Sequence, residues 1–179
     1  MARRGGRRGA RGPVTSEATR HVMQANKSKD TSPELVVRAG LRERGLTGYR
    51  LHWKKAPGRP DVCFPGRKVA IFVNGCFWHR CPHCHLSTPK TNVDFWTAKF
   101  ARNRARDLRD CNLLVQSGWV VLVVWECRLK KGRAQATLDE MALLVRRAGD
   151  PATHVPQVRE VGAMSAWQLG VARGRLARR

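Results

Sequence analysis

Trp119-Val120-Val121-Leu122-Val123-Val124-Trp125 is an uninterrupted apolar run of strand length. No polar residue alternates with the valines, so the run predicts a strand buried on both faces, as in sheets covered by helices. Immediately before it, Thr91 through Ser117 reads as one long helix. Its apolar stripe is Phe100, Leu108, Cys111 and Val115, and Gly118 stops it. Further back, Lys68-Val-Ala-Ile-Phe-Val73 reads as another strand. Strand, helix and strand in that order predict a crossover that lays 119–125 parallel to 68–73.

Working outward, Asp61-Val62-Cys63-Phe64 meets 68–73 through a turn at Pro65-Gly66, which predicts a hairpin. Tyr49–His52 reads as a short strand. Ser32-Pro33-Glu34 opens a helix as N-cap, proline and first-turn acid. Leu35, Ala39, Leu41 and Leu46 follow, and Gly45 is its stop. A last helix fits 135–147, and residues 74–91 form a structured loop. The fold class is α/β, a mixed sheet flanked by helices.

The chain has 179 residues and a net charge of +22, with 35 Lys and Arg against 13 Asp and Glu. Such an excess points to a polyanionic partner, nucleic acid first. Residues 1–14 hold five Arg and no acid and read as a flexible basic arm. Residues 15–150 are the folded part and keep a charge of +13. Residues 151–179 read as a basic C-terminal tail, mostly irregular, with a short helix at 162–172. No apolar run approaches the ~20 residues of a spanning helix. No secretory signal is visible, and an intracellular address is the expectation.

Three constellations carry chemistry. Cys76, Cys81, Cys84 and Cys127 have the spacing of a tetrahedral zinc site. His83 and His85 compete for the third place, with His83 the main alternative to Cys84. Four protein ligands leave no open position, so this zinc is read as structural. Cys63 and Cys111 sit in apolar patterns and read as core. Second, Pro60-Asp61 opens a strand, with Asn74 and His79 after the next strand and Glu34 at the first helix start. A carboxylate can hold the hard cation that phosphodiester cleavage needs, and an imidazole is the available base. Third come the aromatics. Trp78 and Trp96 are divided between stacking on bases and roofing the core, whereas Phe95 reads as core. On the long helix, Lys99, Arg102, Arg104, Arg106 and Arg109 face several directions, so only part of the set can reach phosphates.

Several of these stretches together resemble the very-short-patch (Vsr-type) mismatch repair endonucleases. They are Val69-Ala-Ile-Phe-Val-Asn-Gly-Cys-Phe-Trp-His79, Pro89-Lys-Thr-Asn92 leading to Phe95-Trp96, Asn103-x3-Asp107, Gly118-Trp119 and Val124-Trp-Glu-Cys127. Met23 and Ser28-Lys-Asp-Thr-Ser-Pro-Glu34 fit upstream. The resemblance runs from about 16 to 147. It implies a PD-(D/E)xK-like, restriction-endonuclease-like fold with a zinc-stapled loop. It implies a bacterial enzyme that nicks 5′ to the thymine of a T:G mismatch left by 5-methylcytosine deamination. Asp61 would hold Mg²⁺ together with the Val73 carbonyl. His79 would activate water, and Glu34, Asn74 and Asp107 would support it. Phe77, Trp78 and Trp96 would form a wedge, and Met23 would press from the minor groove. Lys90 and Asn103 complete the expected DNA contacts. Asn74 stands where some members carry histidine. The expected partners are double-stranded DNA with the mismatch, mismatch-repair proteins and a functionally linked cytosine-5 DNA methyltransferase. The chain is expected to be a monomer without membrane contact, cytoplasmic and nucleoid-associated. Two other readings are a zinc-stapled module that binds distorted DNA without cutting, and a nuclease of a restriction-modification system.

Overall fold

A computed structural model of the chain describes residues 29–162. Contacts divide the chain into Met1–Asp30 and Thr31–Arg179, and the fold below is that of the second unit. Met23, the basic arm and the helix expected at 162–172 lie outside the described residues, apart from Gly162.

In chain order the elements are α1 (Ser32–Glu43), β1 (Arg50–Leu51), β2 (Val62–Phe64), β3 (Val69–Asn74), α2 (Cys76–His79), α3 (Val93–Gln116), β4 (Val120–Trp125), α4 (Ala134–Ala148) and β5 (Val158–Val161). Single 3₁₀ turns occupy Pro65–Arg67 and Glu126–Arg128. The five strands form one sheet in the order β1-β2-β3-β4-β5. The β1/β2 and β2/β3 pairs are antiparallel, whereas β3/β4 and β4/β5 are parallel. Val69 pairs with Val120, and the register runs on to Asn74 and Trp125. This is the mixed α/β sheet expected from the crossover.

Burial explains the apolar run at 119–125, because all six residues of β4 are buried. Val120, Leu122 and Val124 face a core with Val37 and Leu41 of α1 and Leu138, Met141 and Val145 of α4. Val121, Val123 and Trp125 face the other core, with Cys111 and Leu114 of α3 and the cysteine loop. Helices therefore cover both faces, so no position on β4 needed a polar side chain.

Four local expectations are corrected. Thr31, rather than Ser32, occupies the N-cap position of α1, and its hydroxyl donates to Glu34 Oε1 at 2.9 Å. Leu35, expected inside, is 51% exposed, because the core-facing pair one turn apart is Val37 and Leu41. The loop at 74–91 contains the one-turn helix α2. The tail expected to be mostly irregular supplies β5, so the sheet continues past residue 150. An edge strand with Arg159 and Glu160 at its centre carries little apolar signal.

Candidate active site and metal centre

The functional side chains gather where β3 ends. Asp61 precedes β2, and its Oδ2 accepts the backbone N–H of Val73 on β3 at 2.7 Å. Its Oδ1 lies 3.7 Å from Nδ1 of His52. The Nε2 of His52 is 3.1 Å from Arg38 Nη2 and 3.5 Å from Glu34 Oε2. Arg38 donates to Glu34 at 2.7 Å one turn along α1, and both side chains are buried. Burial pushes the Asp61 carboxyl up to about 6; the Val73 N–H opposes this, Glu34 adds to it, and Arg38 and His79 oppose it. The Asp61 side chain keeps 22% of its exposure, so it is desolvated without being sealed off.

His79 ends α2. Its Nδ1 stands 2.5 Å from Asp107 Oδ2 on α3. A carboxylate can only accept, so the Nδ1 proton belongs to that contact and the neutral ring keeps Nε2 as a free acceptor. Asn74, half-buried, closes β3 opposite Trp125.

At the other end of α2 is the sulfur cluster. The Sγ atoms of Cys76, Cys81, Cys84 and Cys127 all lie within 4.8 Å of one another. Cys81 and Cys127 are 3.8 Å apart, sulfur to sulfur. A tetrahedron with Zn–S bonds of ~2.3 Å has an edge of about 3.8 Å, so the spacing fits that ion. All four cysteines are free thiols. The backbone N–H of Cys127 donates to Cys76 Sγ at 3.4 Å. Burial drives the Cys76 and Cys81 thiols up. Cys84 goes the other way: against its burial, hydrogen bonds from Cys127, Cys76 and Cys81 hold it below the ordinary value. Of the alternatives for the third ligand, the geometry brings in Cys84. His83 turns away to pair with Glu160 on β5, and His85 is exposed. Cys63 and Cys111 are core residues, with thiols pushed by burial to about 12.

Between the two centres lies an aromatic cluster. Phe77 sits edge-on to Trp78, Trp96 and Phe100, with centroids 5.2, 5.4 and 5.3 Å away. Two expectations exchange places here. Trp96, a candidate wedge residue, is only 9% exposed, whereas Phe95, expected in the core, is 47% exposed. Neighbours on a helix point about 100° apart, and Trp96 shares the inward stripe with Phe100, Cys111 and Leu114. Phe77 and Trp78 are half-buried and accessible. Asn103 donates to the Trp78 carbonyl at 3.0 Å, so it braces α2. Lys90 is exposed in the loop before α3. Lys99, Arg102, Asn103, Arg106 and Arg109 line one shallow groove along α3, so four of the five helix cations share a face.

His52 was missed by sequence reasoning. It was read as the end of a strand, yet its φ is 44° and its ring turns toward Asp61. The pattern held no signal for it, since Glu34, Arg38, His52 and Asp61 meet only through the fold.

The sequence model of a family described as "DNA mismatch endonuclease Vsr" matches residues 13–86. "Type II nicking enzyme V.XorIIP" of Xanthomonas oryzae pv. oryzae is 44% identical over 117 residues, covering 65% of this chain and 85% of the relative. "DNA mismatch endonuclease Vsr" of Escherichia coli is 40% identical over 126 residues, covering 69% and 79%. "Type II nicking enzyme V.NaeI" of Lentzea aerocolonigenes is 37% identical over 134 residues, covering 72% and 79%.

Proposed function

This chain belongs to the Vsr family of DNA mismatch endonucleases, and we propose that it nicks double-stranded DNA 5′ to the thymine of a T:G mismatch, in a Mg²⁺-dependent reaction. The sheet is restriction-endonuclease-like, and the chain is a DNA endonuclease. Among the described residues no helix is long and apolar enough to cross a membrane.

The observation that carries the reading is the meeting of Asp61, the Val73 backbone and the His79–Asp107 pair at the end of β3. Asp61 offers a hard carboxylate oxygen in a half-buried position, which fits a hard divalent cation better than a soft one. The Asp61 carboxylate and the Val73 carbonyl would hold that cation, which would supply Lewis-acid polarisation of the scissile phosphate and stabilisation of the leaving 3′ oxygen. Asp107 fixes the His79 ring through Nδ1, and Nε2 takes the proton of the attacking water. Glu34 acts at a distance through Arg38, and Asn74 donates a hydrogen bond toward the phosphate. The Cys76, Cys81, Cys84 and Cys127 thiolates would hold a structural Zn²⁺, which would pin the loop to the end of β4.

Phe77 and Trp78 press into the duplex at the mismatch, with Trp96 behind them as their support. A mismatched step costs less to open than a paired one, so a wedge favours it. Lys90 and the α3 cations hold phosphates, and Met23 presses from the minor groove. Residues 15–150 with β5 form the endonuclease domain, between basic arms.

The test is a nicking assay on duplexes that differ only in a T:G, U:G or C:G pair, with and without Mg²⁺. Cutting 5′ to the thymine of T:G, with Mg²⁺ only, is expected. Asp61→Ala should end cutting and keep mismatch binding. Wild-type nicking by Asp61→Ala would overturn the mechanism. Mismatch binding without any cutting by the wild-type chain would favour the binding module instead.

A further inference from the structure

We infer that His52 is a positioning residue for Asp61: its ring stands between the Glu34–Arg38 ion pair and the carboxylate, with Nδ1–H facing Oδ1. This rests on the reading of Asp61 as the cation's ligand.

The proton can be placed from chemistry alone. Arg38 Nη2 lies 3.1 Å from His52 Nε2. A guanidinium has donors and no acceptor, so at 3.1 Å Nε2 accepts from Arg38 in preference to donating to Glu34 Oε2 at 3.5 Å. A neutral ring then carries its proton on Nδ1, the nitrogen 3.7 Å from Asp61 Oδ1. Contacts of this kind run long before the reacting complex forms. Glu34 sets the far end, because it fixes Arg38 at 2.7 Å and is itself buried. The Val73 N–H takes Oδ2 from the other side at 2.7 Å. Asp61 is thus held through Oδ2 by a hydrogen bond and faced at Oδ1 by the His52 ring, so its free lone pairs are aimed in a set direction. Partners of this kind orient ligating carboxylates.

The backbone supports the assignment. His52 has a φ of 44°, the left-handed region. Few residues other than glycine adopt it, though Asn, Asp and His do so more often than most. A histidine held there directly after β1, with its ring 18% exposed and directed at two acids, is placed to serve the ring's contacts.

Two measurements test this on the full chain with its zinc. Long-range ¹H–¹⁵N correlation of the wild-type protein above pH 8, without added Mg²⁺, reads the ring directly. The Nδ1-protonated tautomer is expected at His52, and the Nε2-protonated form overturns the inference. The second is calorimetric titration with Mn²⁺ alone. His52→Leu should weaken cation affinity by roughly 10–100-fold, the usual cost of losing such a partner. In nicking it should raise the Mg²⁺ concentration needed while keeping the rate at saturation. His52→Asn tolerates the left-handed backbone and sets an amide N–H near the Nδ1 position, so it should recover most of the affinity. Unchanged affinity in folded His52→Leu, with Asp61→Ala abolishing cation binding, would remove His52 alone. Cation binding that survives Asp61→Ala would remove the Asp61 reading with it. If His52→Leu does not fold, the wild-type tautomer still decides.

Discussion

Two centres sit at the ends of a single helical turn, and they are built on opposite plans. At Cys76, α2 joins a cluster of four sulfurs, three of them buried. At His79, the same turn reaches an oxygen-and-nitrogen site whose carboxylates keep 22% and 29% exposure at Asp61 and Asp107. The sulfur centre is complete within the protein. The other presents one carboxylate, one backbone strand end and one free ring nitrogen. A closed set of ligands holds a shape, whereas an incomplete set leaves room for substrate and water. The three-residue separation makes them interdependent: the sulfur cluster at one end of the turn also places His79, the proposed base, at the other.

The largest break should come from the closed centre. Cys127→Ser removes one of four sulfurs, and zinc sites of this type contribute on the order of 10 kcal/mol to folding at neutral pH. The expected result is unfolded or insoluble protein. Elemental analysis of the wild-type chain should give one zinc, and a strong chelator should lower its melting temperature steeply. Folded, zinc-free wild-type protein would end the contrast.

Next is His79→Ala, at the open end. The loss of a general base lowers the rate by ~10²–10⁴. Melting temperature should fall only modestly, since the ring keeps 21% exposure and its one short contact is to Asp107. Asp107→Asn should follow in the same direction, because it removes the carboxylate that holds the Nδ1 proton and with it the tautomer that leaves Nε2 free. Single-turnover nicking at saturating Mg²⁺ separates the two.

Third, the open centre should be a burden on stability that the closed one is not. Burial raises Asp61 from 3.8 to about 6. The folded state therefore holds a proton that the unfolded state has released between those values. Its stabilising contribution is present below about pH 4 and is lost as pH rises through 6. Asp61→Asn should then be more stable to unfolding than wild type at pH 8, by up to about 3 kcal/mol. Below pH 4 the two should coincide. Urea denaturation of metal-free-site protein, with zinc retained, reads this directly.

The smallest effect sharpens what lies between the centres. Trp78→Ala should lose ~1–3 kcal/mol of binding to mismatched duplex, the worth of one base stacked on an aromatic ring. Its folding should suffer less than that of Trp96→Ala, whose ring is buried against Phe77 and Phe100. Equal losses of stability in both variants would make the whole cluster core.

Much of this molecule was readable before folding was considered. The apolar β4, the hairpin and α3 are written in local periodicity, and local propensity and burial agree there. The four cysteines were legible because ligand chemistry and chelate spacing are properties of the chain. Asp61 and His79 were singled out through the family resemblance, with Asp61 at the start of one strand and His79 after the next. The edge strand β5 was not, since its pairing with β4 supplies what its composition lacks. The Phe95–Trp96 exchange was missed because both are large aromatics, and only the rotation of α3 against the sheet chooses which one turns inward.

Sequence by itself therefore determined the order of the main elements from α1 to α4, without α2 and β5, together with the mixed α/β class, the basic charge and the set of groups able to bind metal or move a proton. Tertiary structure alone decided that His83 pairs with Glu160 while Cys84 joins the sulfurs. It alone also decided that His52 stands between Arg38 and Asp61. The reason is physical. Periodicity and ligand type act between near neighbours, but a proton's place on a ring and a ligand's choice among adjacent residues depend on contacts closed across distant segments. Those contacts exist only after α1, β2 and β5 have packed on the sheet.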